Sequence, residues 1–112
     1  MFKFTGVITD ASPRRIVTLK SGKQQEMCML RVASRLEDGD VNEVAVKVKD
    51  NHVYFDQCKG MTVEICFKNR VFAYNDSTHG VKVFGNELTA KSITVIDYDR
   101  SALLDFQKGG AI

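Results

Sequence analysis

The chain has 112 residues, of which 44% are hydrophobic, a length that suffices for one compact domain and is too short for two. Its 16 Lys and Arg stand against 14 Asp and Glu, giving a net charge of +2, which excludes a histone-like protein that coats duplex DNA and leaves only a local patch for any nucleic-acid contact. No stretch approaches the ~20 apolar residues of a membrane span, the N-terminus is unlike a signal peptide, and the three cysteines lack CxxC spacing, so we expect a cytoplasmic protein without disulfides or zinc.

The first half of the chain alternates between apolar and polar residues as β-strands do. Gly6 lies in the middle of the first strand, where a missing side chain permits a bulge or a sharp coil. Ser21, Gly22 and Lys23 form a predicted hairpin turn. Strands are predicted over residues 2–9, 16–20, 25–33 and 43–49.

The second half begins with a predicted short helix over residues 52–59, which Gly60 ends. A long strand follows over 61–74, and the loop 75–80 precedes the last strand. That strand is predicted in two pieces, 81–84 and 87–96, with Gly85-Asn86 interrupting it.

This order of elements predicts an all-β fold with one short helix. Strands of this length, with one helix before the fourth, favour a five-stranded OB-fold barrel. Val53 and Phe55 of the helix would plug the bottom of the barrel. The core is also expected to contain Phe2, Phe4, Phe67 and Val71.

The strand 61–74 has two different faces. Its even positions carry Lys68, Arg70, Phe72 and Tyr74 on the side expected to meet solvent. Aromatic rings that alternate with cations suit a single strand of nucleic acid, because rings stack on bases and cations neutralise phosphates. The alternative interpretation is that the two rings cover a barrel end or a neighbouring subunit.

Four segments resemble the single-stranded-DNA-binding protein superfamily of OB folds. They are Phe4-Thr-Gly-Val-Ile-Thr, Thr18-Leu-Lys-Ser-Gly-Lys-Gln, Lys59-Gly-Met-Thr-Val-Glu-Ile and Lys68-Asn-Arg-Val-Phe-Ala-Tyr. The chain departs from that family in having no Trp and no acidic C-terminal tip. The resemblance therefore implies a short phage, plasmid, mobile-element or primosomal-type member, with the binding domain at 1–97 and a partly helical or flexible tail at 98–112.

The binding face of an OB fold lies across its second and third strands and the adjoining loops. The corresponding basic and aromatic residues extend the predicted site beyond the strand 61–74. The whole predicted nucleic-acid-binding set is Arg14, Arg15, Lys20, Lys23, Arg31, Lys47, Lys49, Lys68, Arg70, Phe72, Tyr74, Lys82 and Phe84.

Two functions follow as hypotheses. The first is a non-catalytic single-stranded-DNA-binding protein of replication, recombination or repair; nothing in the sequence separates DNA from RNA. The second is an OB-fold interaction or oligomerisation module, in which Leu103, Leu104 and Phe106 form an apolar ridge. Family resemblance implies a homo-oligomer, a dimer or tetramer, with replication proteins as further partners. No cofactor, metal or catalytic residue is expected, since His52 and His79 lack metal-ligand spacing.

Overall fold

Five long strands close into a ring in the computed structural model, which describes residues 1–108. The ring runs β1–β5–β6–β4–β3 and returns to β1, because β1 pairs with both β5 and β3. This arrangement confirms the predicted five-stranded OB-fold barrel. The elements are β1 (Phe2–Ala11), β2 (Arg15–Thr18), β3 (Gln24–Arg35), β4 (Val41–Lys49), a 3₁₀ helix (Asp50–Gln57), β5 (Thr62–Asp76), β6 (Val81–Asp97) and α1 (Ala102–Lys108).

The ring closes where β1 passes from one neighbour to the other. Its first half, Phe2–Val7, pairs with β5, and its second half pairs with β3 across a bulge between Ile8 and Asp10. Gly6 lies at this crossing, where a Cβ atom would come within 2.5 Å of the carbonyl oxygen of Ala33. A residue without a side chain is therefore needed for the two backbones to approach.

The short strand β2 continues the path of β1. It pairs antiparallel with the beginning of β3, from Arg15 opposite Met27 to Thr18 opposite Gln24. The two strands are therefore one long strand that is interrupted between residues 12 and 14. The turn that joins β2 to β3 has Gly22 at φ +84°, as the predicted hairpin requires.

The barrel interior is filled by inward-facing β-branched residues and leucine. The largest fully buried side chains come from four of the five long strands, β1, β3, β4 and β5. They are Ile8, Leu30, Val32, Val46, Val48, Val63 and Ile65. Val53 and Phe55 of the 3₁₀ helix are also buried in this cluster, which agrees with the predicted plug. The helix is of the 3₁₀ type and begins at Asp50, two residues earlier than expected.

Two residues assigned to the core by their alternation are exposed, Phe2 by 62% and Val71 by 59%. The predicted interruption at Gly85-Asn86 is also wrong, since β6 is continuous. Phe2 is the first residue of β1, and its ring stacks on that of Phe67 with the centroids 6.0 Å apart. The errors at Val71 and at Gly85-Asn86 have one cause. Beyond the barrel, β5 and β6 continue as a two-stranded hairpin, and neither face of an isolated ribbon covers a core.

The last described element, α1, packs against the barrel. Phe106 is buried against Val7 and Ala33, and the guanidinium carbon of Arg35 lies 5.3 Å from the centre of its ring. The prediction that Phe106 forms an exposed apolar ridge with Leu103 and Leu104 is therefore wrong, because Phe106 is buried against the barrel. The division at residue 97 stays a prediction, and the end of the predicted tail, 109–112, lies outside the described residues.

All three cysteines are free thiols. Among the described residues, no helix has the length and apolar character that crossing a membrane requires.

Candidate nucleic-acid interface

The register of the β5–β6 hairpin decides which side chains share a face. Phe72 is opposite Gly85, Tyr74 opposite Val83, and Arg70 opposite Glu87. Directly opposed residues of an antiparallel pair project to the same side. We call this side the stacking face; it carries Lys68, Arg70, Phe72, Tyr74, Val83, Gly85, Glu87 and Thr89.

Phe72 and Tyr74 form an exposed aromatic pair on the stacking face. Their ring centroids are 6.1 Å apart and their planes differ by 28°. Phe72 is 38% exposed and Tyr74 is 53% exposed. Neither ring belongs to the barrel core, so both offer aromatic surface to a planar ligand.

Gly85 gives the Phe72 ring its position. A Cβ atom built on Gly85 would lie 2.5 Å from Cζ of Phe72, and further ring carbons would be 2.8 and 3.1 Å away. The outer edge of the ring therefore lies over the backbone of β6, in space that any other residue would occupy. The alternation of polar and apolar residues could not predict that Gly85 makes room for Phe72. That role depends on the register between β5 and β6, which places the two residues opposite each other.

The outer surface of β3 and β4 continues the stacking face. Met29 is opposite Lys47, Met27 is opposite Lys49, and Arg15 of β2 is opposite Met27. Lys47 in turn pairs with Thr89 of β6 in the parallel contact between β4 and β6. The predicted basic residues of β2, β3 and β4 thus share one surface with the hairpin.

A cleft of about 310 Å³ lies where these elements meet. We call it the Phe72 cleft. Its lining residues are Arg15, Met27, Met29, Ala45, Lys47, Phe72, Asn86, Glu87 and Leu88. The cleft combines an aromatic wall, methionine side chains and cations, which are the groups that contact the bases and phosphates of a single strand.

Glu87 of β6 links two of the predicted cations, Lys47 of β4 and Arg70 of β5. Its Oε1 lies 3.2 Å from Nζ of Lys47, and its Oε2 lies 3.5 Å from Nη2 of Arg70. The hydrogen bond from Lys47 is the main reason that the pKa of the Glu87 carboxyl is lowered. Glu87 was absent from the predicted site, although an acidic residue opposite Arg70 follows directly from the hairpin register.

The guanidinium of Arg14 is occupied by ion pairs within the protein. Its Nε donates to Oδ2 of Asp56 at 2.7 Å and its Nη2 donates to Oδ1 at 3.0 Å. A third contact joins Nη1 to Glu26 at 3.4 Å. The guanidinium lowers the pKa of the Asp56 carboxyl, mainly through the hydrogen bonds. This fork ties the 3₁₀ helix to the segment between β1 and β2.

The other predicted cations differ in their pairing. Arg31 contacts Glu43 at 2.8 Å. Within residues 1–108, six of the predicted cations have no ion-pair partner: Arg15, Lys20, Lys23, Lys49, Lys68 and Lys82. Lys20 and Lys23 flank the turn between β2 and β3.

Lys82 and Phe84 are not brought together with Phe72 and Tyr74. Lys82 is opposite Asn75 and Phe84 is opposite Ala73, so both project to the other side of the hairpin. We call that side the reverse face and define it by Val71, Ala73, Lys82 and Phe84. Phe84 is 67% exposed there. The predicted set is therefore divided between two faces.

His79 lies in the turn of the hairpin, where its Nδ1 is 2.8 Å from Oδ2 of Asp76. This hydrogen bond is the main cause of the lowered pKa of the Asp76 carboxyl. The described residues contain no cluster of three or more His, Cys, Asp and Glu side chains that would hold a metal ion.

The fold is similar to that of solved single-stranded-DNA-binding proteins. The mitochondrial single-stranded DNA-binding protein from S. cerevisiae has a TM-score of 0.66 at 17% identity, over 86% of this chain and 93% of that chain. The second OB-fold domain of replication protein A from Methanococcus maripaludis has a TM-score of 0.55 at 15% identity, over 84% and 81%. The small single-stranded DNA-binding protein from Streptomyces coelicolor has a TM-score of 0.51 at 16% identity, over 84% and 93%.

Neither the models of protein families nor the curated proteins contain a match to this chain. The structural similarities show that the chain has the OB fold found in single-stranded-DNA-binding proteins, as the sequence motifs predicted.

Proposed function

We propose that this protein is a non-catalytic single-stranded-DNA-binding protein that acts in replication, recombination or repair. The observation that carries the proposal is the pair of exposed rings, Phe72 and Tyr74, on a surface that also contains unpaired cations. The fold supports it, because the similar structures are of proteins that are named for binding single-stranded DNA.

Base stacking on the two rings supplies the sequence-tolerant part of the binding. Each base stacked on an aromatic side chain contributes about 1–3 kcal/mol, and every base has a π face to offer. Duplex DNA hides those faces within its own stack. The protein is therefore expected to prefer single strands and to bind most sequences.

Cations around the rings neutralise the phosphates. Arg15, Lys49 and Lys68 have no ion-pair partner within the described chain and contact phosphates directly in this proposal. Arg31 exchanges its carboxylate partner for phosphate oxygens. Lys47 and Arg70 keep Glu87 as a partner and offer their remaining N–H donors to phosphates. Lys20 and Lys23 extend the path along the β2–β3 turn. Arg14 supports the fold through Asp56 and is left out of the interface.

The same proposal includes a homo-oligomer in the cytoplasm, with replication proteins as further partners. One barrel covers only a short run of nucleotides. Association of several copies would lengthen the bound strand and raise the overall affinity through multivalency.

The test is fluorescence anisotropy of labelled oligothymidine with the wild type, the Phe72→Ala/Tyr74→Ala variant and the Phe84→Ala variant. Removing both stacking rings is expected to weaken binding by about 2–6 kcal/mol, twice the contribution of one stack. Phe84 is a matched control, since it is an equally large and more exposed ring on the reverse face of the same hairpin. Its removal is expected to leave the affinity unchanged.

A folded wild type that does not bind oligothymidine at low salt would contradict the proposal. The second candidate function, an interaction module, then becomes the better one. The reverse face favours it, because Val71 and Phe84 expose apolar surface there without an aromatic stack or more than one cation. Sedimentation of wild type and Phe84→Ala in the absence of DNA tests that candidate directly.

A further inference from the structure

The Phe72 cleft is lined by one acidic side chain, and the other charged residues of its lining, Arg15 and Lys47, are positive. Glu87 lines this cleft and its side chain is 34% exposed. A carboxylate repels the phosphates of a nucleic acid, so it opposes the proposed binding unless it meets another part of the ligand. The imino and amino groups of the bases are such a part, because they donate hydrogen bonds and an ionised carboxylate only accepts them.

Glu87 is close enough to Phe72 to reach a base that stacks on the ring. Phe72 is opposite Gly85 and Arg70 is opposite Glu87, so Phe72 and Glu87 are diagonal neighbours on one face. Such neighbours lie roughly 7–8 Å apart, within reach of aromatic and long side chains. A base that lies flat on Phe72 therefore directs one edge toward the carboxylate.

The carboxylate of Glu87 is oriented before any ligand arrives. Lys47 contacts Oε1 and Arg70 contacts Oε2, each from its own side of the cleft. These contacts favour the ionised form. Each carboxylate oxygen has two acceptor positions, so two remain for a base after Lys47 and Arg70 are bound.

We infer that Glu87 reads the Watson–Crick edge of the base stacked on Phe72 and selects guanine, an inference that rests on the proposed function. Guanine presents two adjacent donors on that edge, N1–H and the 2-amino group, which match the two carboxylate oxygens. Adenine and cytosine present one amino group beside an acceptor nitrogen. Thymine presents one imino group between two carbonyl oxygens, which repel the carboxylate.

The experiment measures binding of three oligonucleotides that differ at one base. Each is an oligothymidine whose central position is guanine, hypoxanthine or thymine. Hypoxanthine keeps N1–H and lacks the 2-amino group. The wild type is expected to bind the guanine strand about tenfold more tightly than the thymine strand, with hypoxanthine between them.

Glu87→Gln is expected to bind all three strands with nearly equal affinity, since an amide presents one donor and one acceptor where guanine needs two acceptors. The matched control is Glu43→Gln, which changes the charge equally on the outer surface of β4. Glu43 pairs with Arg31 and lines a different cleft, so this variant is expected to keep the guanine preference. Thermal unfolding of both variants verifies that they are folded.

Equal affinity of the wild type for the three strands would overturn the inference and leave the proposed function intact. A Glu87→Gln variant that binds every strand more tightly but keeps the wild-type ratios would also overturn it, because Glu87 would then act only on phosphates. Failure of the wild type to bind any of the strands would contradict the proposed function itself.

Discussion

The ring of Phe72 can lie over the neighbouring strand β6 because the residue opposite it, Gly85, has no side chain. Gly85 leaves room for the outer edge of the ring over the β6 backbone. Aromatic residues that cover a glycine in a neighbouring strand are also a recognised way to stabilise a sheet edge. A single pair of residues therefore stabilises the hairpin and leaves part of the Phe72 ring exposed for the proposed stacking.

Gly85→Ala is predicted to weaken oligothymidine binding by about 1 kcal/mol, the lower end of one lost stack. The added methyl group would lie 2.5 Å from Cζ of Phe72, and the flexible ring would move away. Anisotropy titration measures the change. Phe84→Ala, which changes the preceding residue on the reverse face, is the control, and an equal loss of affinity in both variants would argue against a positioning role for Gly85.

Elements outside the barrel wall are attached to it by a small number of strong contacts. The 3₁₀ helix is held by the Arg14–Asp56 fork as well as by its buried residues, and α1 is held mainly by Phe106. Each attachment joins segments that are far apart in sequence. Each can be tested by one substitution.

Phe106→Ala is predicted to lower the free energy of unfolding by about 3–5 kcal/mol, the usual cost of truncating a buried phenylalanine. The ring is buried against Val7 and Ala33, so its loss also uncovers part of β1 and β3. Urea denaturation measures the change. Leu104→Ala truncates a neighbouring side chain that is half exposed, and a similar effect of both substitutions would contradict the packing of α1.

The Arg14–Asp56 contact predicts a dependence of stability on pH. The pKa of Asp56 is lowered in the folded protein from the ordinary value of 3.8. Its contribution to stability is therefore complete well above pH 3.8 and is lost as the pH falls through the folded-state pKa. We expect Asp56→Asn to be less stable than the wild type at pH 7 and the difference to shrink in acid, as measured by thermal unfolding. A difference that grows on acidification would refute this linkage.

At the scale of the whole molecule, the net charge of +2 conceals an uneven distribution. Arg15, Lys49 and Lys68 lie on the outer surface that is continuous with the stacking face. The local field there is more positive than the overall balance implies. Long-range attraction of a polyanion depends on that local field.

Lys49→Ala/Lys68→Ala is predicted to reduce the slope of log affinity against log salt by about 1.4, two phosphate contacts at ~0.7 each. The slope is the useful quantity, because counterion release depends on the number of phosphates neutralised. Titrations at several salt concentrations measure it. Lys59→Ala is the control, because Lys59 follows the 3₁₀ helix and is not among the proposed interface residues; should it lower the slope as much, the cations would act through net charge and not through local contacts.

Much of the fold was predictable from local pattern. The alternation of Val44, Val46 and Val48, and of Val63 and Ile65, indicated buried strand faces because those strands line a closed barrel. Val53 and Phe55 were recognisable as a plug. The same reasoning failed for Val71, because the alternation of an isolated ribbon carries no information about a core.

What the sequence by itself determined is the barrel and the basic-aromatic character of residues 68–74. Only the tertiary structure decided that Phe84 lies on the reverse face, that Arg14 is held by Asp56, and that Glu87 lies between Lys47 and Arg70. The physical reason for this division is that the alternation of polar and apolar residues and the composition can be read from a single strand. Register and ion pairing depend on residues that meet only after strands distant in sequence have paired.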